Sequence, residues 1–461
     1  MGIAAQYTDC GQSSTGAYAL LIWTHNFQKI EHHPRWALPG SDNSTTIDAL
    51  VCGSGNNWGS VYTAAVQKFN RTVVGGEDAT VGLGGLIQNG GHGLLSSHYG
   101  LASDQVFQVT VVTTEGHVLI ANRAQNQDLF WAVRGGGGGQ YGIVTEFVLK
   151  THPVPENVVT GGLSFYPKQR SSAGENTSWQ ALAQTVALIP DIMDAGFTGT
   201  VTAVNKEMAK TYMGLNFTTS GVGVSVSLIG YNTTTDFMDT AISTLSARIR
   251  NSSHSYSSGL TISSQKSSSQ SYWSYIEPDF LASSSGAVSL LTSRLLGRPE
   301  LSDLPREDLV TYLQQIMVSQ DPSSGSMLLF GLQAGHGPAS VPEELRGSVL
   351  PAWRSTYAHV MTYGASINAT GDPYESLKAG AAWYEAVKEP VWRKWAPDTG
   401  AYMNEGNAFS STWKRDFYGE NYDRLLEVKH KYDPTESLFV YAGVGNDHWD
   451  YNLHTGLLCQ V

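Results

Sequence analysis

Apolar and polar positions change period several times in the first 150 residues, and each change marks an element. Residues 15–26 (TGAYALLIWTHN) predict a short apolar strand, and residues 49–52 a second. In 57–69 (NWGSVYTAAVQKF) Trp58, Val61, Tyr62 and Val66 recur at helical spacing, with Asn57 where an N-cap belongs. Residues 72–74 predict a strand that runs into a glycine-rich segment at 75–93. Residues 106–122 (VFQVTVVTTEGHVLIAN) alternate, and Glu115-Gly116 at their centre predicts a β-hairpin. A short helix over 126–134, a five-glycine loop at 135–139 and a strand over 142–150 follow. Pro153 and Pro155 then mark a boundary.

From about 156 to 395 the pattern is different, with polar loops between strands such as 223–229 and helices such as 236–249. The serine-rich stretch around 252–270 predicts an exposed loop. Near the end, 421–432 (NYDRLLEVKHKY) sets Tyr422, Leu425, Leu426 and Val428 near one face of a helix, which Asp433-Pro434 stops. No internal repeat is visible.

Composition narrows the class. The 461 residues suffice for two or three domains, and 41% apolar with 15% charged residues describes a globular chain. A net charge of −12 argues against a nucleic-acid partner. No apolar run approaches the roughly 20 residues of a membrane span. Cys10, Cys52 and Cys459 form no C-x-x-C pair; one disulfide is possible, but spacing does not identify it. Asn43, Asn70, Asn176, Asn216, Asn232, Asn251 and Asn368 each begin an N-x-[ST] sequon, which leads us to expect a secreted glycoprotein. The start, Met1-Gly-Ile-Ala-Ala-Gln-Tyr7, has neither a basic nor a long apolar leader region, so the chain is expected to begin after the true start.

The clearest candidate chemistry lies in 80–93 (TVGLGGLIQNGGHG). Its glycines remove side chains from two successive turns, so that backbone N–H groups can reach a phosphate, a ribose or a flat ring edge. It is not a dinucleotide fingerprint, because Ile87 stands where the third glycine belongs, and no Gly-Lys-[Ser/Thr] makes it a Walker loop. Taken alone, tight bends explain it equally well.

An ordered series of motifs follows. Tyr99-Gly-Leu-Ala-Ser-Asp104 precedes the hairpin, and Asp128-Leu-Phe-Trp-Ala-Val-Arg134, the glycine loop and Gln140-Tyr-Gly-Ile-Val-Thr145 come after it. Tyr402-Met-Asn404, Trp413, Phe417-Tyr-Gly-Glu-Asn-Tyr-Asp-Arg-Leu425 and Lys431-Tyr-Asp-Pro434 stand near the end. The first group resembles the flavin-binding domain of the vanillyl-alcohol-oxidase superfamily. The second resembles the carboxy-terminal signature of berberine-bridge-enzyme-like proteins. Together they span 13–152 and 400–449, about four tenths of the chain.

That resemblance implies an α+β fold: a partial PCMH-type FAD-binding domain over 1–152, a substrate domain over 153–399 with an antiparallel sheet backed by helices, and a segment over 400–449 returning to the first domain. It implies an FAD-dependent oxidase that transfers hydride from an alcohol, sugar or secondary metabolite, with oxygen as acceptor. A small-molecule substrate and a monomer are expected. The matching FAD contacts are Thr80, Gly82, Gly85, Gly90, Gly91, His92, Tyr99, Asp104, Gly142, Val144, Asn404 and Asn421. Two departures bear on the tether. Asp78 stands where bicovalent members have a cysteine, and aligning Gly11-Gln-Ser-Ser14 on the family's Gly-Arg-Ser-Ser puts Tyr7 in the place of the tethering histidine. Non-covalent FAD is therefore expected, in a chain lacking the amino-terminal pyrophosphate-binding part.

Three side chains are candidates for the proton-abstracting base. Tyr402 lies in the motif the family sets beside the flavin, and its phenol needs a hydrogen-bonding or cationic neighbour to act near neutral pH. His359, in 351–361 (PAWRSTYAHVM), resembles a residue on a substrate-domain strand facing the flavin, with Tyr357 two positions earlier on the same face. His359 as a structural histidine is the alternative. Trp383, Trp392 and Trp395 lie in helix-like sequence and are expected in the core. Zinc-peptidase and hydrolase signatures are absent, and no metal is expected. The rival reading is a non-redox binding protein, or a cyclisation catalyst, on the same scaffold with weak or lost FAD binding.

Overall fold

The structure is a computed structural model that describes residues 3–5, 20–41, 45–168, 172–251, 259–282, 290–368, 370–452 and 454–461. Two antiparallel sheets organise the chain. The first has five strands in the order Ile30–Ala37, Thr46–Gly53, Ile143–Lys150, Val106–Val112, Val118–Asn122. The alternation over 106–122 does form the hairpin, with Val109 opposite Ala121 and Val111 opposite Leu119. Gly116, at φ +83°, makes the turn.

The helix expected over 57–69 runs from Trp58 to Thr63, and Asn57 caps it by accepting a hydrogen bond from Ser60 N at 3.0 Å. It continues as a π-helical turn over Ala64–Lys68. The strand expected over 72–74 is shorter and earlier: only Arg71–Thr72 pairs, with His152–Pro153, while Val73 and Val74 are buried outside any strand. Their apolar character records burial, which periodicity cannot tell from pairing in so short a run.

The end of the chain packs into the same core as its beginning. Phe417, Tyr418, Leu425 and Val428 share one apolar cluster with Trp58, Tyr62 and Phe147. The helix expected over 421–432 is Tyr422–Tyr432, and it buries Lys429 beside Asp433 at 3.0 Å.

The second sheet has seven strands, in the order Leu260–Gln270, Val158–Pro167, Val222–Tyr231, Phe197–Asn205, Met327–Leu332, Thr356–Thr362, Thr292–Gly297. Every neighbouring pair is antiparallel. Helices Ser172–Ala187, Thr235–Asn251 and Arg306–Ile316 bury Leu182, Ile242 and Leu313 in the core beside it. Trp392 and Trp395 lie in that core, as expected, whereas Trp383 is only half-buried.

The serine-rich stretch is a correction. Residues 252–258 lie outside the described residues, but Leu260–Gln270 is an edge strand and not a loop. It pairs only with Val158–Pro167 and leaves most of its side chains at the surface. Backbone pairing requires no apolar side chains on an exposed edge, so serine content misleads there.

Arg294, buried at 2% exposure, joins the strand Thr292–Gly297 to the returning segment through Asp416 at 3.0 Å, and to the helix Glu389–Trp395 through Glu389 at 3.6 Å. Among the described residues no helix is long and apolar enough to cross a membrane. The sequon asparagines among them (Asn70, Asn176, Asn216, Asn232, Asn251 and Asn368) are all exposed, and Asn43 lies outside the described residues. Cys52 is buried and Cys459 exposed, both as free thiols; Cys10 lies outside the described residues.

One buried histidine makes the fold sensitive to acid. His152 stacks on Tyr99 with ring centroids 3.8 Å apart and shares a 2.9 Å hydrogen bond with Gln105 Oε1. Burial, helped by the charges of Lys150 and Arg71, pushes its pKa down to about 3. An unfolded histidine titrates near 6.5, so the unfolded chain takes up the proton first, and stability falls as pH drops from about 6.5 towards 3. His152→Gln should remove about 2 kcal/mol of the stability lost between about pH 7 and pH 5, read from denaturant midpoints at the two pH values. An unchanged pH dependence would count against this assignment.

Candidate active site

Close backbone packing shapes the glycine-rich segment. A Cβ on Gly93 would lie 1.8 Å from the Gly75 carbonyl oxygen, and Gly90 and Gly91 adopt φ of +111° and +75°. The segment therefore folds tightly on itself and brings His92 to the strand Thr356–Thr362, which carries His359. The returning chain adds Tyr402 and the short turn Met403–Glu405. The ring of His92 lies 5.0 Å from Tyr402 and 5.2 Å from His359, while Trp353 lies 5.7 Å from Tyr402. His359 and Tyr402 meet at right angles, 5.6 Å apart.

Glu405 is the electrostatic centre of this group. Its Oε2 is 3.2 Å from His92 Nε2 and 3.2 Å from His359 Nδ1. Burial alone would raise its pKa, but the hydrogen bond and charge of His92, with His359 close by, outweigh that and hold the carboxyl below its usual range. His359 is wholly buried, and the contact of Nδ1 with Glu405 is misaligned, so neither ring nitrogen hydrogen-bonds to the described residues. Burial lowers its pKa to about 3 against the pull of Glu405, with His92 adding to the lowering; the ring is neutral.

Tyr402 is reached by a relay of amides. Gly138 N donates to Asn89 Oδ1 at 2.6 Å, Asn89 Nδ2 donates to Asn404 Oδ1, and Asn404 Nδ2 donates to the Tyr402 hydroxyl oxygen at 2.6 Å. Both glycine-rich segments thus bear on the phenol.

Next to this group is a cavity of about 560 Å³ between the glycine-rich segment and the sheet. Hydroxyl and amide side chains dominate its wall, among them Thr160, Thr198, Thr200, Ser227, Gln265 and Ser268. Glu77 and Gln333 lie where cavity and cluster adjoin, and Gln333 Nε2 donates to Glu77 Oε1. Glu77 has accessible surface, but it faces this cavity. Burial raises its pKa, opposed by His92 and the Gln333 hydrogen bond and reinforced by Glu405.

The expected site residues divide into two groups. His92, His359, Tyr402 and Asn404 converge, with Gly85 beside Asn404 at 3.5 Å. The others have local duties. Thr80 is exposed, and its N and Oγ1 donate to Asp78 Oδ1 at 2.8 and 2.6 Å. Gly82 precedes the helix Leu83–Gln88, and the carbonyls of Gly90 and Gly91 accept from Ser103 and Ala102. Gly142, at φ +142°, leads into the strand that buries Val144, and Tyr99 stacks on His152. Both oxygens of Asp104 are engaged by Arg354, at 2.8 and 2.9 Å. Asn421 donates to the Ser348 and Val349 carbonyls. Tyr357 points away from the cluster: its hydroxyl donates to Asp194 at 3.0 Å and its ring lies under Arg298. Tyr7 lies outside the described residues.

Sequence reasoning missed Glu405, Glu77, Gln333, Asn89 and Trp353. Glu405 directly follows the Tyr-x-Asn motif, the one available signal. As for an FAD, a flavin edge carries alternating donors and acceptors. The orphaned nitrogens of buried His359, with the Tyr402–Asn404 pair beside them, offer groups that match such an edge, so these residues fit it.

Comparison with known proteins agrees with this geometry. Residues 401–441 match the family described as "Berberine and berberine like", and residues 21–122 match an FAD binding domain. The FAD-linked oxidoreductase apf9 of Gibberella fujikuroi is 32% identical over 98% of this chain and 75% of its own length. The VAO-type flavoprotein oxidase VAO615 of Thermothelomyces thermophilus is 30% identical over 97% of this chain and 72% of its own. The crystal structure of the VAO-type flavoprotein MtVAO713 from Myceliophthora thermophila superposes with a TM-score of 0.85 at 25% identity, over 100% of this chain and 78% of that one. The chain belongs to the berberine-bridge-enzyme-like family of FAD-linked oxidoreductases within the vanillyl-alcohol-oxidase superfamily.

Proposed function

We propose that this protein oxidises a hydroxyl-bearing carbon of a small, hydroxyl-rich molecule, with oxygen as the final acceptor. The observation that carries this reading is the cavity of about 560 Å³, walled by hydroxyls and amides and adjoining the His92–Glu405–His359–Tyr402 cluster. Such a wall offers a hydroxylated substrate hydrogen bonds in place of those it gives up to water. Residues 1–152 and 400–449 together would hold the cofactor and 153–399 the substrate. FAD, when bound, supplies the hydride acceptor. Gly85, His92, Tyr402 and Asn404 would hold it.

Tyr402 is the proposed base. The amide of Asn404 donates to its oxygen and stabilises negative charge there, so the phenolate can accept the substrate hydroxyl proton. His359 is a weaker candidate, because its burial opposes taking on a proton. Tyr357 has its hydroxyl on Asp194, away from the cluster. Glu405 keeps His92 in place and supplies fixed negative charge within the cluster. Attachment of FAD is proposed to be non-covalent, since the Asp78 carboxylate turns back on Thr80 and carries no thiol chemistry. Secretion is supported by the exposure of the described sequon asparagines.

Three measurements test these points. Tyr402→Phe keeps the ring but removes the proton acceptor, and should slow substrate-driven flavin reduction by roughly 10²–10⁴-fold with flavin binding near normal. An unchanged rate would rule Tyr402 out and move the role to His359. Acid precipitation of the purified holoprotein should release all of the yellow colour; flavin left on the precipitate would sink the non-covalent reading. Material from the natural host should gain mobility on endoglycosidase treatment, and no shift would remove the support for secretion.

A further inference from the structure

Two histidines and a glutamate converge far along the chain, outside the cavity and its cluster. His430 lies on the helix Tyr422–Tyr432, Glu436 follows that helix, and His448 closes the short turn Asn446–His448. His430 Nε2 is 2.8 Å and His448 Nδ1 2.7 Å from the same oxygen, Glu436 Oε1. The two imidazole rings are nearly parallel, at 19°, with centroids 6.0 Å apart. Trp449 Nε1 donates to the other oxygen, Oε2, at 3.2 Å. The indole thus fixes the plane of the carboxylate and leaves Oε1 as a single aimed donor, as outer-shell partners do at metal centres.

The backbone also departs from the ordinary to make this arrangement. Glu436 sits at φ 49°, uncommon for a residue with a side chain, and is held there as its N–H donates to Asp433 O at 2.9 Å. Gly445, at φ +79°, leaves the room the carboxylate needs, since a Cβ there would lie 3.1 Å from Glu436 Oε1. Glu436 is buried, while the side chains of His430 and His448 are 49% and 36% exposed. The site therefore has a rigid buried donor and two histidines open to water.

We propose that His430, Glu436 and His448 bind one divalent transition-metal ion of the zinc, copper or nickel type, with water completing its coordination. Two imidazoles and one carboxylate are the donor set such ions favour over calcium or magnesium. One ligand atom from each residue lies within 4.8 Å of the others. Tetrahedral coordination with bonds of about 2.0–2.1 Å sets donor atoms about 3.3 Å apart, so each nitrogen need withdraw from Oε1 by only about 0.5 Å. The ion would fasten the terminal hairpin, in which Trp449–Tyr451 pairs with Leu458–Gln460, to the helix Tyr422–Tyr432. His92, His359 and Glu405 form a second triad of similar composition, which belongs to the active site and is distinguished below by substitution.

The test is titration of the metal-free protein with zinc chloride in competition with a chromophoric chelator. One equivalent should bind, and that equivalent should be lost in His430→Ala and in His448→Ala. Trp449→Phe should weaken it by roughly 10–100-fold, the usual effect of removing an outer-shell partner. His117→Ala, at an exposed histidine of the first-sheet hairpin, should leave it unchanged. Undiminished affinity in both His430→Ala and His448→Ala would overturn the proposal. If those variants fold poorly, the unsubstituted protein decides: zinc should protect His430 and His448 from diethylpyrocarbonate, read by mass spectrometry. Equal labelling with and without zinc would overturn it.

Discussion

The ion pair between Arg354 and Asp104 sets the spacing of the active site. Neither side chain is more than 9% exposed, and Asp104 also accepts from Leu101 N at 2.9 Å. A buried charge without its partner is costly, so the two segments that carry these residues are held together or both disrupted. Asp104 lies in the turn Ala102–Gln105, which follows the glycine-rich segment and bonds back to Gly90 and Gly91. Arg354 ends the turn Pro351–Arg354, immediately before the strand that carries His359. The distance between His92 and His359 is therefore governed by a contact that touches neither. Arg294 does the same for the third contributor: its pairing with Asp416 anchors the segment in which Tyr402 and Glu405 lie.

How much of this the sequence revealed depends on the range of each interaction. The hairpin at 106–122, the capped helix after Asn57 and the helix over 421–432 rest on local periodicity and turn chemistry, and all three are present. The edge strand Leu260–Gln270 was hidden because its partner, and not its own composition, makes it a strand. Glu405 was hidden for a stronger reason. It is polar, lies beside a recognised motif, and gains its role from distant partners, His92 lying 313 positions away and His359 on the strand Thr356–Thr362. Asp104 matches a cofactor motif by position, yet its carboxylate is engaged by a residue 250 positions on. Motifs therefore brought His92, Tyr402 and Asn404 into view, but could not show which of the matched residues converge and which brace the scaffold.

Two carboxyls close to His92 are separated by environment. Glu77 and Glu405 both lie close enough to His92 to feel its charge, yet burial raises the pKa of one while imidazole contacts lower that of the other. Carboxyls driven apart in this way can take different proton roles at one pH. Glu405 is the fixed anion, and Glu77, tied to Gln333 at the cavity wall, is the group more readily protonated. His359 cannot compensate, because its own burial keeps it neutral. A proton arriving from the cavity thus meets Glu77 before it meets Glu405. The proposed base, Tyr402, packs edge-on against His92 and takes a hydrogen bond from the Asn404 amide, a donor that does not titrate.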